Sequence, residues 1–200
     1  MNKVLLIATT NKGKIVEINQ ILKNTPFVLK SLAEVGFNQE IEETGKTFAE
    51  NARIKATTAG KKTGLLTLAE DSGIEIDALE GAPGIYSARY APGSDSDRVN
   101  KVLKDLIDIP KEKRTARFVC VAALFDPEKN TVRFFEGESW GMITEKPIGV
   151  NGFGYDPIFY NPDLEKTNGE ASLEEKNKVS HRARALLKVK KFLSTSGTVL

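Results

Sequence analysis

A mixed α/β fold is predicted, from three features of the sequence. The chain opens with an apolar strand, a polar loop and apolar residues at helical spacing. Strand–helix alternation then continues to about residue 107, and two long strand-like runs follow as a hairpin. Alternation favours parallel pairing whereas a hairpin is antiparallel, so the sheet is expected to be mixed, with flanking helices. At 200 residues the chain fits a single domain over 1–200, with room for two lobes.

The first strand is Val4-Leu5-Leu6-Ile7-Ala8, followed by the loop Thr9-Thr10-Asn11-Lys12-Gly13-Lys14. Ile15, Ile18, Ile21 and Leu22 then mark a helix. A second helix runs from Thr47 to about Lys61. Thr47 and Glu50 have capping-box spacing, and Phe48, Ala52, Ala56 and Ala59 form its apolar stripe. The run Leu65-Leu66-Thr67-Leu68-Ala69 can bury both faces and reads as an inner strand. Glu70-Asp71-Ser72-Gly73 reads as its end, with Ser-Gly turning the chain, and Ile74 to Leu79 come next. Gly81 to Tyr86 is a Gly- and Pro-punctuated loop. Asp95 to Ile107 is a helix with Val99, Val102, Leu103 and Leu106 inward. Strands over 115–125 and 131–143 are joined by Asp126 to Asn130. After the glycine-rich loop 149–157, the chain closes in a Lys-, Arg- and Leu-rich helix.

Composition narrows the function classes. Hydrophobic residues make up 40% and charged residues 28%, ordinary values for a globular protein. With 29 basic and 27 acidic residues the net charge is +2, which gives no bulk pull toward nucleic acid or membrane. The first residues carry too short an apolar run for a signal peptide, and no stretch approaches the ~20 residues of a membrane span. The single cysteine, Cys120, cannot form an internal disulfide and reads as a core residue, from which a cytoplasmic location is expected. One His and one Cys exclude a zinc site built from those ligands.

Adjacent carboxylates at a strand end, Glu70 and Asp71, suit a hard cation such as Mg²⁺, which prefers oxygen ligands shared with phosphates. The competing reading is a solvated turn. The Thr9–Lys14 loop, between strand and helix, would aim free N–H groups and a helix's positive end at an anion, with Lys14 adding a charge and Asn11 a donor. It carries a single glycine and is not the Walker-type phosphate loop. Glu42, Glu43, Asn51 and Lys55 supply ligand and counter-charge types, or else solvated decoration. Asn51 and Lys55 share one helix face. Phe153, between Gly152 and Gly154, is free to stack on a flat ligand, or to plug the core; Asp156 beside it can hydrogen-bond a base edge. In one continuous helix from Glu174 to Leu193, Lys176, His181 and Arg182 would diverge at 100° per residue. If the helix restarts with Ser180 as N-cap, His181 and Arg182 fall in its first turn, where cations favour contact with a ligand.

These segments, in this order, resemble the Ham1-like inosine triphosphate pyrophosphatases. The motifs are Thr9 to Lys14, Glu42-Glu43-Thr44-Gly45-x-Thr47-Phe48-x-Glu50-Asn51-Ala52, Glu70-Asp71-Ser72-Gly73, and Gly81 to Tyr90. Gly152-Phe153-Gly154-Tyr155-Asp156-Pro157, Glu175-Lys176-Asn177 and Ser180-His181-Arg182 complete the set. Thr10 stands where many bacterial relatives have Gly, and Glu70 where many have Asp.

The resemblance implies an elongated two-lobed mixed sheet with a nucleotide cleft between the lobes. It implies hydrolysis of dITP, ITP or XTP to monophosphate and pyrophosphate with Mg²⁺, in a homodimer. Asp71 then matches the catalytic carboxylate, with Glu42 and Asp71 as leading metal ligands and Glu70 or Glu43 in support. Thr9, Thr10, Asn11, Lys12, Gly13, Lys14, Ser72 and Lys176 are expected around the phosphates. Phe153, Gly154, Tyr155, Asp156, His181 and Arg182 are expected around the base.

Overall fold

The computed structural model describes residues 3–195. Seven strands form one sheet in the order β2-β1-β3-β4-β5-β6-β7. They are β1 (Lys3–Ile7), β2 (Phe27–Ser31), β3 (Leu66–Ile76), β4 (Thr115–Asp126), β5 (Thr131–Ile143), β6 (Phe159–Asn161) and β7 (Lys166–Thr167). β1 pairs parallel with β2 and β3, whereas β6 pairs antiparallel with β5 and β7, so the sheet is mixed, as expected from early alternation and a late hairpin. The helices are α1 (Lys12–Ile21), α2 (Phe48–Thr63), α3 (Asp95–Asp105), α4 (Leu173–Val179) and α5 (His181–Thr195).

The chain divides into two compact units, the first being Met1–Asp71, Cys120–Gly137 and Ala183–Leu200, the second Ser72–Val119 and Glu138–Arg182. In the first unit, α5 buries Ala183, Ala185, Leu186, Val189 and Leu193 against Leu5, Ile7, Leu68 and Cys120. Fully burying each of the larger side chains is worth roughly 1.5–3 kcal/mol. α2 buries the small stripe Ala52, Ala56 and Ala59 with Leu6, Ala69 and Phe125. Gly60 completes that face, because a Cβ there would strike the Phe125 ring. In the second unit, Val99, Val102 and Leu106 pack with Ile74, Ile76, Phe118, Ile143 and Phe159.

Three local expectations change. The helix after β1 starts at Lys12, because Asn11 caps it by accepting from the Lys14 backbone N–H at 3.0 Å. β2 carries no strand alternation strong enough to be read from sequence. Ser72-Gly73 makes no turn, and β3 runs unbroken through it for 11 residues. The apolar residues Ile74 and Ile76 keep the strand buried beyond the polar stretch, and Ile74 donates its N–H to Ser87 Oγ at 2.9 Å. Glu70 and Asp71 therefore lie inside a strand rather than at its end.

Candidate functional site

Successive residues of a strand point to opposite faces, so Glu70 and Asp71 cannot act as a side-by-side pair. Their hydrogen-bond partners differ, although their charges remain coupled within the first unit. Glu70, almost fully buried, holds the Lys14 ammonium at 2.8 Å and accepts a weak hydrogen bond from Cys120 Sγ at 3.4 Å. Asp71 faces α2. Asn51 Nδ2 donates to its Oδ2 at 3.2 Å, and Lys55 Nζ donates to its Oδ1 at 3.2 Å.

The i, i+4 spacing of Asn51 and Lys55 puts both on one face of α2. Each also holds the segment preceding the helix. Gly45 donates its N–H to Asn51 Oδ1 at 2.8 Å, and Lys55 Nζ donates to Glu43 Oε1 at 2.8 Å. Asn51 is fully buried, so its amide bridges loop and strand with little competition from water. The helix itself is fixed by Thr47, whose hydroxyl accepts from the Glu50 N–H at 3.1 Å.

Burial pushes the Asp71 carboxyl above the usual carboxylate range, against the opposing pull of Lys55 and Lys14. Burial works against the Lys55 ammonium too, but the carboxylates of Asp71, Glu70 and Glu43 outweigh it and raise its pKa. A buried carboxylate with a raised pKa, held by directed donors, is suited to accepting a proton.

The carboxylates brought together here are Asp71 and Glu43, joined through Lys55, while Glu42 is exposed. Among the described residues no three His, Cys, Asp or Glu side chains form a ready-made metal cage. Carboxylates are the ligand type of a hard divalent ion, which takes one or two from a protein and completes its shell with phosphates and water. Of the two acids before Thr44, Glu43 is joined to Asp71 through Lys55. Glu70 is committed to Lys14.

The remaining phosphate-type candidates sit around the start of α1. Thr9 Oγ1 accepts from the Asn11 N–H at 3.2 Å, Thr10 and Lys12 are exposed, and Gly13 and Lys14 lie in the helix's first turn. Asn11 spends its side-chain oxygen on the cap, which leaves the amide NH₂ as the donor it can offer.

In the second unit the loop before β6 is fastened to its surroundings. Gly152 and Gly154 have φ of 75° and 61°, left-handed values that an L side chain rarely adopts. Asp156 Oδ2 accepts from the Phe153 N–H at 2.8 Å and pairs with Lys176 Nζ at 2.5 Å, while its Oδ1 accepts from Asn168 Nδ2 at 3.3 Å. The Phe153 ring lies 4.8 Å from Lys176 Nζ and 5.4 Å from the Arg182 guanidinium carbon, both cation–π distances.

α4 ends at Val179, Ser180 is extended, and α5 begins at His181, so the helix restarts where the spacing argument placed the break. Arg182 is buried and donates to Ser72 Oγ at 2.9 Å. The His181 ring is buried and stacks on Phe118, with centroids 4.6 Å apart and planes 10° apart.

The geometry gives several of these residues partners within the chain. Lys176, expected with the phosphate groups, is grouped with Phe153 and Asp156. Asp156, expected to read a base edge, spends both oxygens on the loop, Lys176 and Asn168. Ser72 receives Arg182. Tyr155 turns its ring into the core and donates its hydroxyl to the Ser87 carbonyl at 2.8 Å, and burial pushes its pKa upward. Sequence reasoning missed the bridging role of Asn51, with Gly45 as one of its partners, and Asp95, which accepts from the Gly154 N–H at 2.7 Å. Only Asn51 left a signal, its i, i+4 relation to Lys55.

A family model described as "Ham1 family" matches residues 5–192. The dITP/XTP pyrophosphatase of Bacillus licheniformis is 49% identical over 193 residues, covering 96% of this chain and 98% of that protein. The Bacillus subtilis protein of the same name is 50% identical over 193 residues, covering 96% and 97%. Among solved structures, a HAM1 protein from Coxiella burnetii is 41% identical with a TM-score of 0.88, covering 96% of this chain and 99% of its own. With likeness over nearly its whole length in both sequence and fold, the chain belongs to the Ham1 family.

Proposed function

We propose that this chain hydrolyses non-standard purine nucleoside triphosphates (dITP/ITP and XTP/dXTP) to the monophosphate and pyrophosphate, and so clears deaminated purines from the nucleotide pool. The observation that carries the reading is the buried Asp71 carboxylate, held by Asn51 and Lys55 in a chain whose relatives are named dITP/XTP pyrophosphatases.

Asp71 accepts the proton of a water that attacks the α-phosphorus. The new bond is water oxygen to α-phosphorus, and the bond that breaks joins that phosphorus to the oxygen bridging the β-phosphate. Pyrophosphate leaves with that oxygen. Transition states of this type gain mainly from fixed positive charge, which Lys14 supplies in its hold by Glu70. Asn11 adds an amide donor and the first turn of α1 adds backbone N–H groups. Mg²⁺, held by Asp71 with Glu42 or Glu43, would neutralise phosphate charge and orient the tail when bound.

The base is assigned to the second unit. Phe153 offers a face for stacking, with Lys176 beside it, and Arg182 and His181 offer donors suited to the 6-keto oxygen of hypoxanthine or xanthine. Adenine presents a 6-amino donor at that position, which an arginine cannot satisfy. Among the described residues no helix is long and apolar enough to cross a membrane. A cytoplasmic homodimer is part of the same proposal.

Purified protein with Mg²⁺ and a panel of ITP, dITP, XTP, ATP, GTP and a methylated pyrimidine triphosphate tests it, with phosphate and pyrophosphate detected separately. Pyrophosphate from the first three at rates well above ATP is expected. Orthophosphate alone, binding without turnover, or a preference for the pyrimidine would overturn the reading.

A further inference from the structure

Asp95, in the first turn of α3, lies outside the short motifs named in the sequence analysis. A carboxylate at a helix start is ordinary, since it complements the positive end of the helix dipole. This one does something more specific. Its Oδ2 accepts from the N–H of Gly154, a residue 59 positions away in the chain, at 2.7 Å. Its Oδ1 pairs with Arg98, which also donates to the Gly93 carbonyl at 3.0 Å. Burial pushes Asp95 up, but the Gly154 N–H and Arg98 more than offset it, so its pKa falls below the ordinary value.

The other end of that contact is the Phe153 loop. Phe153 and Gly154 have consecutive backbone N–H groups, and each is taken by a carboxylate, Asp156 Oδ2 for the first and Asp95 Oδ2 for the second. Each carboxylate is charge-balanced by its own cation, Lys176 and Arg98 respectively. A loop with glycines at 152 and 154 has little intrinsic reason to hold one conformation. Two charge-assisted bonds on adjacent peptides remove that freedom and so set where the Phe153 ring points.

We propose that Asp95 is a positioning residue for base recognition, acting through the Gly154 N–H to fix the Phe153 ring. The inference rests on the reading of Phe153 as the base-stacking residue. Preorganising a stacking ring lowers the conformational cost of binding and leaves the chemistry at the phosphates untouched. Loss of the clamp therefore raises KM and spares kcat.

The test compares wild type, Asp95→Ala, Asp95→Asn and Arg98→Met on ITP, with melting temperature measured alongside. Wild-type release of pyrophosphate comes first, because its absence defeats the proposed function rather than the role of Asp95. Given that activity, Asp95→Ala should raise KM for ITP about tenfold, equivalent to about 1.4 kcal/mol, with kcat little changed. Asp95→Asn, whose amide oxygen can still accept from Gly154, should restore most of the affinity. Arg98→Met keeps the acceptor and should stay close to wild type in KM. Should Asp95→Ala not fold, Asp95→Ser replaces it, since its hydroxyl suits a helix start but is too short to reach Gly154. An unchanged KM in the folded Ala or Ser variant overturns the proposal. So does a fall in kcat with KM constant, or an equal rise in KM for Arg98→Met, which would make the ion pair rather than the loop contact responsible.

Discussion

Asn51 Nδ2 donates to Asp71 Oδ2 while Asn51 Oδ1 accepts from the Gly45 N–H, so one buried amide joins the proposed base to the loop before α2. A hydrogen bond to a charged group contributes about 1.5–3 kcal/mol. Asn51→Ala should therefore lower kcat for ITP roughly tenfold to a hundredfold. Gly45→Ala should act at the same point, because a Cβ there would lie 2.7 Å from Asn51 Oδ1. In steady-state kinetics the double variant should lose much less than the combined effect of the two single changes, as coupled neighbours do.

Lys55 makes the second contact to Asp71 and should influence the acid side of the pH profile. Asp71 must be ionised to take a proton, and burial has raised its pKa, so activity should fall with decreasing pH at a point above the ordinary aspartate value. Lys55 is the strongest influence holding that pKa down. Replacing it with Met removes a positive charge that favours the ionised form, and the acid limb of kcat/KM should move to higher pH. Profiles of both proteins at fixed Mg²⁺ would show it. An unmoved limb would mean that another group governs the titration.

The backbone order of this chain was legible because strand and helix periodicities differ and because the long apolar runs at β1, β3 and β4 leave little choice. The reading of Ser72-Gly73 as a turn failed for a physical reason. Local turn chemistry predicts a break, but Ile74 and Ile76 bury with Val99, Val102 and Phe118, and that burial carries the strand on through it. The same reading placed Glu70 and Asp71 side by side at a strand end, whereas successive residues inside a strand point to opposite faces. Lys14 and Phe153 could be singled out from their neighbours alone. Lys176 could not be placed, because its partner Asp156 is 20 residues away in sequence, and neither could Asp95.

Asp71→Asn tests the proton-accepting role directly. The amide keeps the shape and can still meet Lys55 or Asn51, but it has no basic oxygen of comparable strength. General-base assistance is worth about a hundredfold to ten-thousandfold, and pyrophosphate release should fall by that range. Affinity for ITP, measured by calorimetry, should persist, because Phe153 and Lys14 are untouched. Turnover within a few-fold of wild type would remove Asp71 as the base.

Arg182 is the residue on which base discrimination should depend most. It is buried, lies 5.4 Å from the Phe153 ring centroid, and is oriented by its bond to Ser72 Oγ. A guanidinium only donates, so a 6-keto base satisfies it and a 6-amino base leaves a donor facing a donor. An unmet buried group costs about 1–3 kcal/mol. Arg182→Ala should thus shrink the ITP-over-ATP ratio of kcat/KM roughly tenfold or more, chiefly by losing activity on ITP. Arg182→Lys separates charge from geometry. It keeps the positive charge but loses the planar fork, so a ratio close to that of Arg182→Ala would show that directed donation, rather than charge, reads the base. A ratio unchanged in both variants, with folded protein confirmed by its melting curve, would place base reading on other side chains.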